Sequence, residues 1–353
     1  MTGLRRMLGC VLALLGLVSG ALGQEIIREY GPQAASDTLV VRSTTDISVF
    51  GPVVEAFLIG RPRLSVRYEQ WGSNELYELT RTACHSGKAA GDVVISSAVH
   101  QMVKLVNEAC AASYRSAQTA NVPGALQWRD QLWGITREPA VMIYNRELVS
   151  EGLAPKSRFD LLDLLRPTNS RFAGKVATYD IEASGLGYLF AFADSLEATT
   201  FGALQESFSR TGAISTCCSA DIIRDVAQGR YLIAYNVLGS YAQGYQLEDE
   251  RVGIILPEDY TLVLSRALMI PKSAPNRRLA QEFLDFLLSN DGRIALRKTL
   301  LLSPLLTPDE TGISDANRTT ARPIELSPAL LVSLDEQTRD LFLRRWRSTF
   351  ATP

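Results

Sequence analysis

Short polar stretches follow apparent β-strands at several points of the sequence. Thr44, Thr45 and Asp46 follow the strand-like segment "DTLVVR", and Ser96 and Ser97 lie in the strand-like segment "GDVVISSA". A helical pattern begins after each stretch, and the first backbone N–H groups of a helix have no partner within it. Hydroxyls and free N–H groups in this position are suited to binding an anion, although the same residues are also ordinary helix caps.

The second half of the chain shows this pattern twice more. In "VATYDIEASGLGYLFAF", acidic residues, a hydroxyl and a glycine stand where a strand passes into a helix, and "YLIAYNVLGSYA" ends its strand with an amide and a hydroxyl. Turn chemistry explains such residues, and so does a ligand held by exposed N–H groups. The polar residues at these two strand ends are Thr178, Asp180, Ser184, Gly185, Asn236 and Ser240.

Motifs of catalysis are missing from the sequence. It contains no GxSxG elbow, no P-loop and no complete GxGxxG segment. The only two histidines, His85 and His100, lie on or beside apparent helices, and we expect both to be surface or packing residues. Carboxylates such as Asp180 and Glu182 stand close together but without a visible partner for acid–base chemistry. The sequence predicts a protein that is not an enzyme and that holds neither a cofactor nor a metal ion.

The elements that position these residues alternate regularly. The strand-like segments "DTLVVR", "LSVRYEQW" and "GDVVISSA" are each followed by a polar turn and a helical pattern. This alternation predicts an α/β fold with a parallel sheet. The polar turns then fall at one edge of the sheet, which is where ligands bind in open α/β sheets.

A change of rhythm divides the chain into two α/β lobes. The segment "GITREPAVMIYNRELV" resembles a crossover, and "VGIILPEDYTLVLSRALMIPK" resembles a return. These segments place two hinge crossovers near residues 135–140 and 257–264. Lobe 1 is then predicted to contain residues 38–135 plus 264–345, and lobe 2 residues 136–263.

Composition and the N-terminus predict where the protein works. The chain has 353 residues with 46% hydrophobic and 21% charged content, typical of a globular protein, and a net charge of −2 gives no reason to expect a nucleic-acid partner. The segment "MTGLRRMLGCVLALLGLVSGALGQ" has the layout of a signal peptide, residues 1–23, cleaved near Gly23. We expect a soluble protein that is exported to a compartment outside the cytoplasm.

The cysteines of the mature chain permit disulfides in that compartment. Cys84 and Cys110 flank one strand–helix unit and could pair. Cys217 and Cys218 are neighbours, and a bond between neighbours is strained. The sequence therefore predicts one structural disulfide or none. It predicts no zinc site, because no histidine or carboxylate stands beside Cys217 and Cys218 at ligand spacing.

Several segments together resemble a known family. "STTDISVFGPVVEAF", "DVVISSAVHQMVKLVNEA", "ITREPAVMIYNRELV", "VATYDIEASGLGYL" and "LIAYNVLGSYA" are similar to bacterial type 2 periplasmic binding proteins. The group is the extracellular solute-binding one that includes ferric-iron binders, hexose-phosphate binders and the phosphoglycerate transport regulatory protein. The resemblance covers roughly residues 38 to 345. It implies two lobes that close on a ligand and deliver it to an inner-membrane ABC permease or to a sensor kinase.

The resemblance also bears on the ligand. Ferric binders of the group typically use a pair of tyrosines, whereas the matching segment here reads Tyr235-Asn236, with Tyr241 further on. We therefore expect a small phosphorylated or carboxylated organic anion, with ferric iron as the alternative. Arg137 and Arg266 are candidate anion partners, although either could pair with an acid instead. The residues expected to bind the ligand are Thr44, Thr45, Asp46, Ser96, Ser97, Glu138, Thr178, Asp180, Ser184, Gly185, Asn236 and Ser240.

Overall fold

A computed structural model of the protein describes residues 24–197, 200–306 and 319–350. The predicted signal peptide lies outside these residues. The described residues form two sheets of seven strands each, with helices packed against both. None of the helices in these residues has the length and apolar character that a membrane span requires.

The first sheet contains the strands predicted from the N-terminal half of the chain. Its order is β1-β3-β2-β4-β13-β6-β5, with β2 parallel to both β3 and β4. The inner strands are almost wholly buried, as expected for parallel strands covered on both faces. Its strands are β1 (Gln24–Tyr30), β2 (Asp37–Ser43), β3 (Leu64–Trp71), β4 (Val93–Ser96), β5 (Gln127–Trp128), β6 (Leu132–Gly134) and β13 (Ala267–Met269).

The helices of lobe 1 connect or cover these strands. Phe57 of the first helix packs edge-on against Phe283 of a later one, with ring centroids 4.8 Å apart, and both are fully buried. Aromatic burial of this kind contributes strongly to a core. The helices of lobe 1 are α1 (Ile47–Leu58), α2 (Ser73–Ser86), α3 (Val99–Asn107), α9 (Arg277–Leu288) and α10 (Asn290–Lys298), with short 3-10 helices at Thr119–Asn121, Gly124–Leu126 and Pro304–Leu306.

The second sheet has the order β14-β12-β7-β10-β8-β9, and β11 also pairs with β7. The central strand β7 is antiparallel to β10, β11 and β12, and β8 is parallel to β10 and β9. Every residue of β7 is buried, which fits its continuous apolar run. The strands are β7 (Glu138–Asn145), β8 (Val176–Tyr179), β9 (Ile214–Thr216), β10 (Ile233–Leu238), β11 (Val252–Ile255), β12 (Thr261–Leu264) and β14 (Ala321–Pro323).

The helices of lobe 2 follow the strands in the same order as in lobe 1. The helix α5 begins after β8, α7 after β9 and α8 directly after β10. Starts of helices and ends of strands therefore face the same side of this lobe. These helices are α4 (Arg158–Leu165), α5 (Gly185–Glu197), α6 (Phe201–Thr211), α7 (Ser219–Ala227), α8 (Gly239–Glu248) and α11 (Glu336–Phe350), with 3-10 helices at Glu151–Leu153 and Pro328–Leu334.

The two lobes are joined where β6 leads into β7 and where β12 leads into β13. These connections, residues 135–137 and 265–266, run side by side: Ile135 N donates to Arg266 O at 2.9 Å. A third segment lies against the first connection, because Arg137 N donates to Leu301 O at 2.8 Å and Ser303 N donates to Arg137 O at 2.9 Å. The hinge is therefore made of adjacent, hydrogen-bonded chain segments.

The C-terminal part of the chain passes between the lobes. The sequence division assigns residues 264–345 to lobe 1. In the structure β13, α9 and α10 join the first sheet, whereas β14 pairs with β12 of the second sheet and α11 packs against α6. The 3-10 helix Pro328–Leu334 returns to lobe 1 and packs against α3. The reason lies in the aromatic residues of this segment, which complete a small core of lobe 2 around Trp346.

The prediction of at most one disulfide is wrong. Cys84 pairs with Cys110, as the sequence allowed, and Cys217 pairs with its neighbour Cys218. The chain accommodates the second bond because Cys218 has a φ of +70°, a conformation that non-glycine residues rarely adopt.

Candidate functional site

A cleft of about 340 Å³ lies between the two lobes, a size suited to a small-molecule ligand. Its floor is the hinge, and its sides are the ends of strands and the starts of helices from both lobes. The residues that line it are Thr44, Asp46, Gln70, Trp71, Gly72, Ser73 and Ser97 from lobe 1, Arg266 from the hinge, and Tyr179, Ala183, Ser184, Leu186, Cys217, Cys218, Ser219, Ala220, Asp221, Leu238 and Tyr241 from lobe 2.

Helix N-termini converge on this cleft. Within the described part of the chain, the lining includes a residue at or within two positions of the start of α1, α2, α3, α5, α7 and α8. Each helix start carries a partial positive charge and free N–H groups. Among the described residues, no side chain caps α2, α7 or α8, so their first N–H groups are free to bind an anion.

Arg266 forms the centre of a polar cluster at the floor, which we call the hinge cluster: Arg266, Glu138, Thr45, Thr136 and Ser240. Arg266 Nε lies 2.8 Å from Glu138 Oε1 and its Nη2 lies 3.2 Å from Oε2, a bidentate pair. Its Nη1 donates to Thr45 Oγ1 at 2.9 Å. Thr136 and Ser240 donate to the same carboxylate.

The hinge cluster is buried but reaches the cleft. Arg266 is 1% exposed and Glu138 is fully buried. Burial alone lowers the pKa of the Arg266 guanidinium, but the Glu138 carboxylate and the nearby Tyr241 raise it above its ordinary value. The arginine therefore stays charged, and its position is fixed by residues from both hinge connections.

Asp46 and Tyr241 join the lobes at the mouth of the hinge cluster. The Tyr241 hydroxyl accepts from Asp46 N at 3.1 Å and donates to Asp46 Oδ1 at 3.0 Å. Burial raises the pKa of the Asp46 carboxyl, opposed by the hydrogen bond from Tyr241 and the charge of Arg266. The cleft therefore contains two acids, Asp46 and Asp221, and the charge of Asp221 adds to the rise in the Asp46 pKa.

A second contact between the lobes lies at the start of α5. Gly185 N donates to Ser73 Oγ at 2.8 Å, and Asn74 Nδ2 donates to Glu182 O at 2.9 Å. A Cβ atom on Gly185 would lie 2.9 Å from Gln101 Nε2 and 3.0 Å from Ser73 Oγ. A side chain at this position would require lobe 1 residues to shift, and the hydrogen bonds between the lobes show that they are closed.

Four of the residues predicted to bind the ligand line the cleft: Thr44, Asp46, Ser97 and Ser184. Some of their groups already bond to the protein, since Ser97 N donates to Thr44 Oγ1 at 3.0 Å and Gly187 N donates to Ser184 Oγ at 3.0 Å.

Four further predicted residues adjoin the cleft without lining it. Thr45, Glu138 and Ser240 belong to the hinge cluster, and Gly185 lies at the contact between the lobes.

The remaining predicted residues lie apart from the cleft lining. Ser96 Oγ accepts from Ala98 N at 3.1 Å and acts as a local cap. Asp180 Oδ1 accepts from Glu182 N at 2.8 Å and closes the turn before α5. Thr178 Oγ1 donates to Tyr235 O at 3.2 Å inside lobe 2.

Asn236 faces a second buried cluster, the lobe-2 cluster, formed by Arg158, Asp194, Tyr235, Tyr260 and Asp259. Arg158 Nε lies 3.0 Å from Asp194 Oδ1, and the guanidinium carbon lies 3.6 Å from the centroid of the Tyr260 ring. Asn236 donates to Asp194 at 3.4 Å. Its backbone has a φ of +57° at an irregularity of β10, which turns it away from the cleft.

The iron alternative rests on tyrosines that the structure separates. Tyr241 lines the cleft, whereas the Tyr235 hydroxyl donates to Asp194 and accepts from Arg158 Nε at 2.6 Å in the lobe-2 cluster. Among the described residues, the one group of three neighbouring His, Cys, Asp or Glu side chains that could hold a metal ion is Cys84, His85 and Cys110. Those cysteines form a disulfide and provide no thiolate for a metal ion.

Several lining residues were not predicted as ligand-binding from the sequence. Gln70 and Tyr179 end strands that precede recognised turns, so their place at the carboxyl edge was a usable signal. Cys217 and Cys218 had no such signal, because β9 is only three residues long.

A larger cavity of about 1140 Å³ lies on lobe 1 between α1, α9 and α10. It is open to solvent and receives no residue from lobe 2. We therefore take the cleft between the lobes as the candidate site.

Comparisons with known proteins agree with this geometry. The model of a family described as bacterial extracellular solute-binding protein matches residues 90–320. No curated protein sequence matches the chain. The substrate binding protein of an ABC transporter from Agrobacterium tumefaciens is similar at 29% identity with a TM-score of 0.85, covering 92% of this chain and 98% of that one.

Two more distant structures share the fold. Iron-bound HitA from Pseudomonas aeruginosa is 18% identical with a TM-score of 0.66, covering 88% of this chain and 99% of that one. AfuA from Actinobacillus pleuropneumoniae, with fructose-6-phosphate bound, is 14% identical with a TM-score of 0.67, covering 90% and 100%. The predicted two-lobed α/β fold of type 2 periplasmic binding proteins is confirmed.

Proposed function

Because the chain belongs to the bacterial extracellular solute-binding protein family, we propose that its cleft captures a small phosphorylated or carboxylated organic anion when the lobes close. Members of this family and its structural neighbours are solute-binding proteins and not enzymes. The protein is a periplasmic solute-binding protein of the ABC transporter type. An inner-membrane permease receives the closed complex, with a sensor kinase as the alternative partner.

The observation that supports an anionic ligand is the convergence of helix N-termini on a cleft with a fixed arginine at its floor. Each helix start favours an anion by about 0.3–1 kcal/mol, and by up to ~2 kcal/mol where it is partly buried. The charge of Arg266 is matched by Glu138, so the helix starts supply the positive potential that remains. AfuA, which shares this fold, has fructose-6-phosphate bound.

Closure of the lobes is the proposed binding step. A ligand shifts a protein toward the state in which it makes more contacts, and the closed state brings Ser73 to Gly185 and Asp46 to Tyr241. A ligand held between lobe 1 hydroxyls and lobe 2 helix starts touches both sides only in this state. Affinity is therefore expected to depend on how closely the lobes approach.

A thermal-shift panel on the purified protein tests the ligand class. The probes are fructose 6-phosphate, 3-phosphoglycerate, citrate, inorganic phosphate and ferric citrate. A probe present at 100 times its dissociation constant stabilises the protein by about 2.7 kcal/mol, which is an easily measured shift. We expect a response to an organic anion. A response to ferric citrate but not to citrate would contradict the proposal of an organic anion as the ligand and favour ferric iron.

The variant Gly185→Val tests closure. Its side chain would meet Ser73 and Ala98, within 3.0 Å of the position of the first added carbon, so we expect affinity to fall at least about tenfold. Gly202→Val is the matched control, because Gly202 is an exposed helical glycine with open space around it. Equal affinities of the two variants would contradict binding by closure.

A further inference from the structure

The two disulfides of the chain do different things for the fold. Cys84–Cys110 joins residues 26 positions apart, whereas Cys217–Cys218 joins neighbours. A disulfide stabilises a protein mainly by closing a loop in the unfolded chain, and the effect grows with the length of that loop. The bond between Cys217 and Cys218 closes no loop beyond two residues. Its effect on the protein must therefore be local.

The location of the second disulfide is the wall of the cleft. Cys217 follows β9, Cys218 is the residue before the first turn of α7, and both are half-buried and line the cleft. Cys218 has φ +70° and ψ 123°, a conformation that non-glycine residues hold only where their surroundings fix it. Such residues cluster at ligand sites. The ring formed by the two cysteines holds this turn in place.

The two walls of the cleft also differ in character. The lobe 1 wall is mostly polar, with Trp71 as its large apolar residue. The lobe 2 wall is half apolar, because the two half-cystines line it together with aliphatic residues. The apolar residues of this wall are Ala183, Leu186, Cys217, Cys218, Ala220 and Leu238.

We infer that the Cys217–Cys218 disulfide is a specificity-determining part of the cleft, which contacts the carbon skeleton of the ligand and holds the start of α7 beside it. The inference rests on the proposed function and extends it. Inorganic phosphate leaves an apolar wall exposed to water, whereas the carbon atoms of an organic anion cover it, which is favourable. The cleft therefore selects an organic ester or acid over the inorganic ion with the same charged group.

Titration calorimetry with the best organic phosphate of the panel, and with inorganic phosphate, tests this selection. We expect the wild-type protein to bind the ester at least about tenfold more tightly than inorganic phosphate. In Cys217→Ser/Cys218→Ser, affinity for the ester should fall by about tenfold while affinity for inorganic phosphate changes little. Unchanged affinity for the ester would overturn the inference.

Cys84→Ser/Cys110→Ser is the matched control. Because this variant removes the disulfide that closes the longer loop, it should lower the Tm by about 5 °C. It should leave the ratio of the affinities for the ester and for inorganic phosphate unchanged. The cleft variant, Cys217→Ser/Cys218→Ser, should leave the Tm nearly unchanged and lower the ratio of the affinity for the ester to that for inorganic phosphate. Brief treatment of the wild-type protein with a phosphine gives the same comparison without substitution. Disulfide, phosphine and water yield two thiols and phosphine oxide. Alkylation followed by mass spectrometry shows which disulfide has been reduced.

Hydrogen exchange separates this inference from the proposed function. If no organic anion in the panel binds, the proposed ligand class is wrong, but the role of the disulfide is still measurable in the ligand-free protein. The amides of residues 222–225, of which Ile222 N donates to Cys218 O at 3.1 Å, should exchange at least about tenfold faster in the cleft variant than in the wild type. Equal exchange would overturn the positioning role whatever the ligand.

Discussion

Arg266 and Arg158 are both buried arginines held by a buried carboxylate, but they lie in different parts of the molecule. Arg266 joins two hinge connections and reaches the cleft. Arg158 lies inside lobe 2, where it and Asp194 have no exposed side-chain surface and two tyrosine rings cover the pair. The chemistry of the pairs is nearly the same. Access to the cleft, rather than the pair itself, makes Arg266 the candidate for contact with a ligand.

The comparison also concerns Tyr235 and Asn236, which lie in the lobe-2 cluster and not in the cleft. Tyr235 and Asn236 lie in the middle of β10, where the register of the strand is interrupted, and both bond to Asp194. A polar residue of a strand therefore has two possible fates, a cleft or a sealed cluster. Tyr235 and Asn236 belong to the sealed cluster because they bond to Asp194, and a buried charge requires several hydrogen-bond partners.

Removing one charge from the sealed cluster should give the largest effect. Arg158→Met leaves Asp194 buried without its cation, and such a change typically costs about 3–5 kcal/mol. Chemical denaturation would measure this loss in the free energy of unfolding. Arg166→Met is the control, because Arg166 forms an exposed pair with Asp163 and should lose no more than about 1 kcal/mol. Equal losses would show that the sealed cluster does not stabilise lobe 2.

Removing a buried ion pair from each cluster should separate stability from binding. Arg266→Met/Glu138→Gln takes away a whole ion pair, and Arg158→Met/Asp194→Asn takes away the fully buried pair and leaves Asp259, whose side chain is 16% exposed. Each should therefore cost less stability than the change of one buried partner. Only the Arg266 variant should weaken binding of the best organic anion, by about 30-fold or 2 kcal/mol. Calorimetry on the two variants measures this difference. If the Arg158 variant loses affinity as much as the Arg266 variant, access does not distinguish the clusters.

The smallest expected effect concerns Asp46, the acid beside the hinge cluster. Since burial raises its pKa in the folded protein, its contribution to stability is fully present below its ordinary pKa of about 4 and is lost as pH rises through the raised value. Asp46→Asn should therefore match the wild type in acid and exceed it at pH 7, by less than about 1 kcal/mol. Denaturation at several pH values measures the difference.

Asp46→Asn should also tighten binding of an organic anion by a few-fold, since a carboxylate is removed from its path. Weaker binding would instead indicate that Asp46 accepts a hydrogen bond from the ligand. Arg266 then contacts the anionic end and Asp46 the donor end of the same molecule.

Much of the fold could be predicted from the sequence, because strand, turn and helix alternate regularly. Thr44, Asp46, Ser97 and Ser184 line the cleft, and their binding of the ligand stays a prediction. The burial of Asn236 could not be predicted, since it depends on a register break in β10. The Cys217–Cys218 bond was missed because it depends on one positive φ.

The placement of α11 was missed because aromatic contacts over long sequence distances determine it. Phe342 of this helix packs against Phe201 and Tyr188 of lobe 2. Local patterns of apolar residues predict that a helix forms but not which lobe receives it.

The segment Leu301–Ser303 gives the hinge a mechanical property. It is hydrogen-bonded to the first hinge connection, residues 135–137, which is itself hydrogen-bonded to the second, residues 265–266. The lobes are therefore joined by a ribbon of hydrogen-bonded segments rather than by two independent chain segments. A ribbon bends easily across its face and resists torsion and shear. We expect the lobes to open along a single angular coordinate, with the mouth opposite the hinge as the gate. Solutes would then be sorted by their narrowest cross-section before any polar group in the cleft meets them.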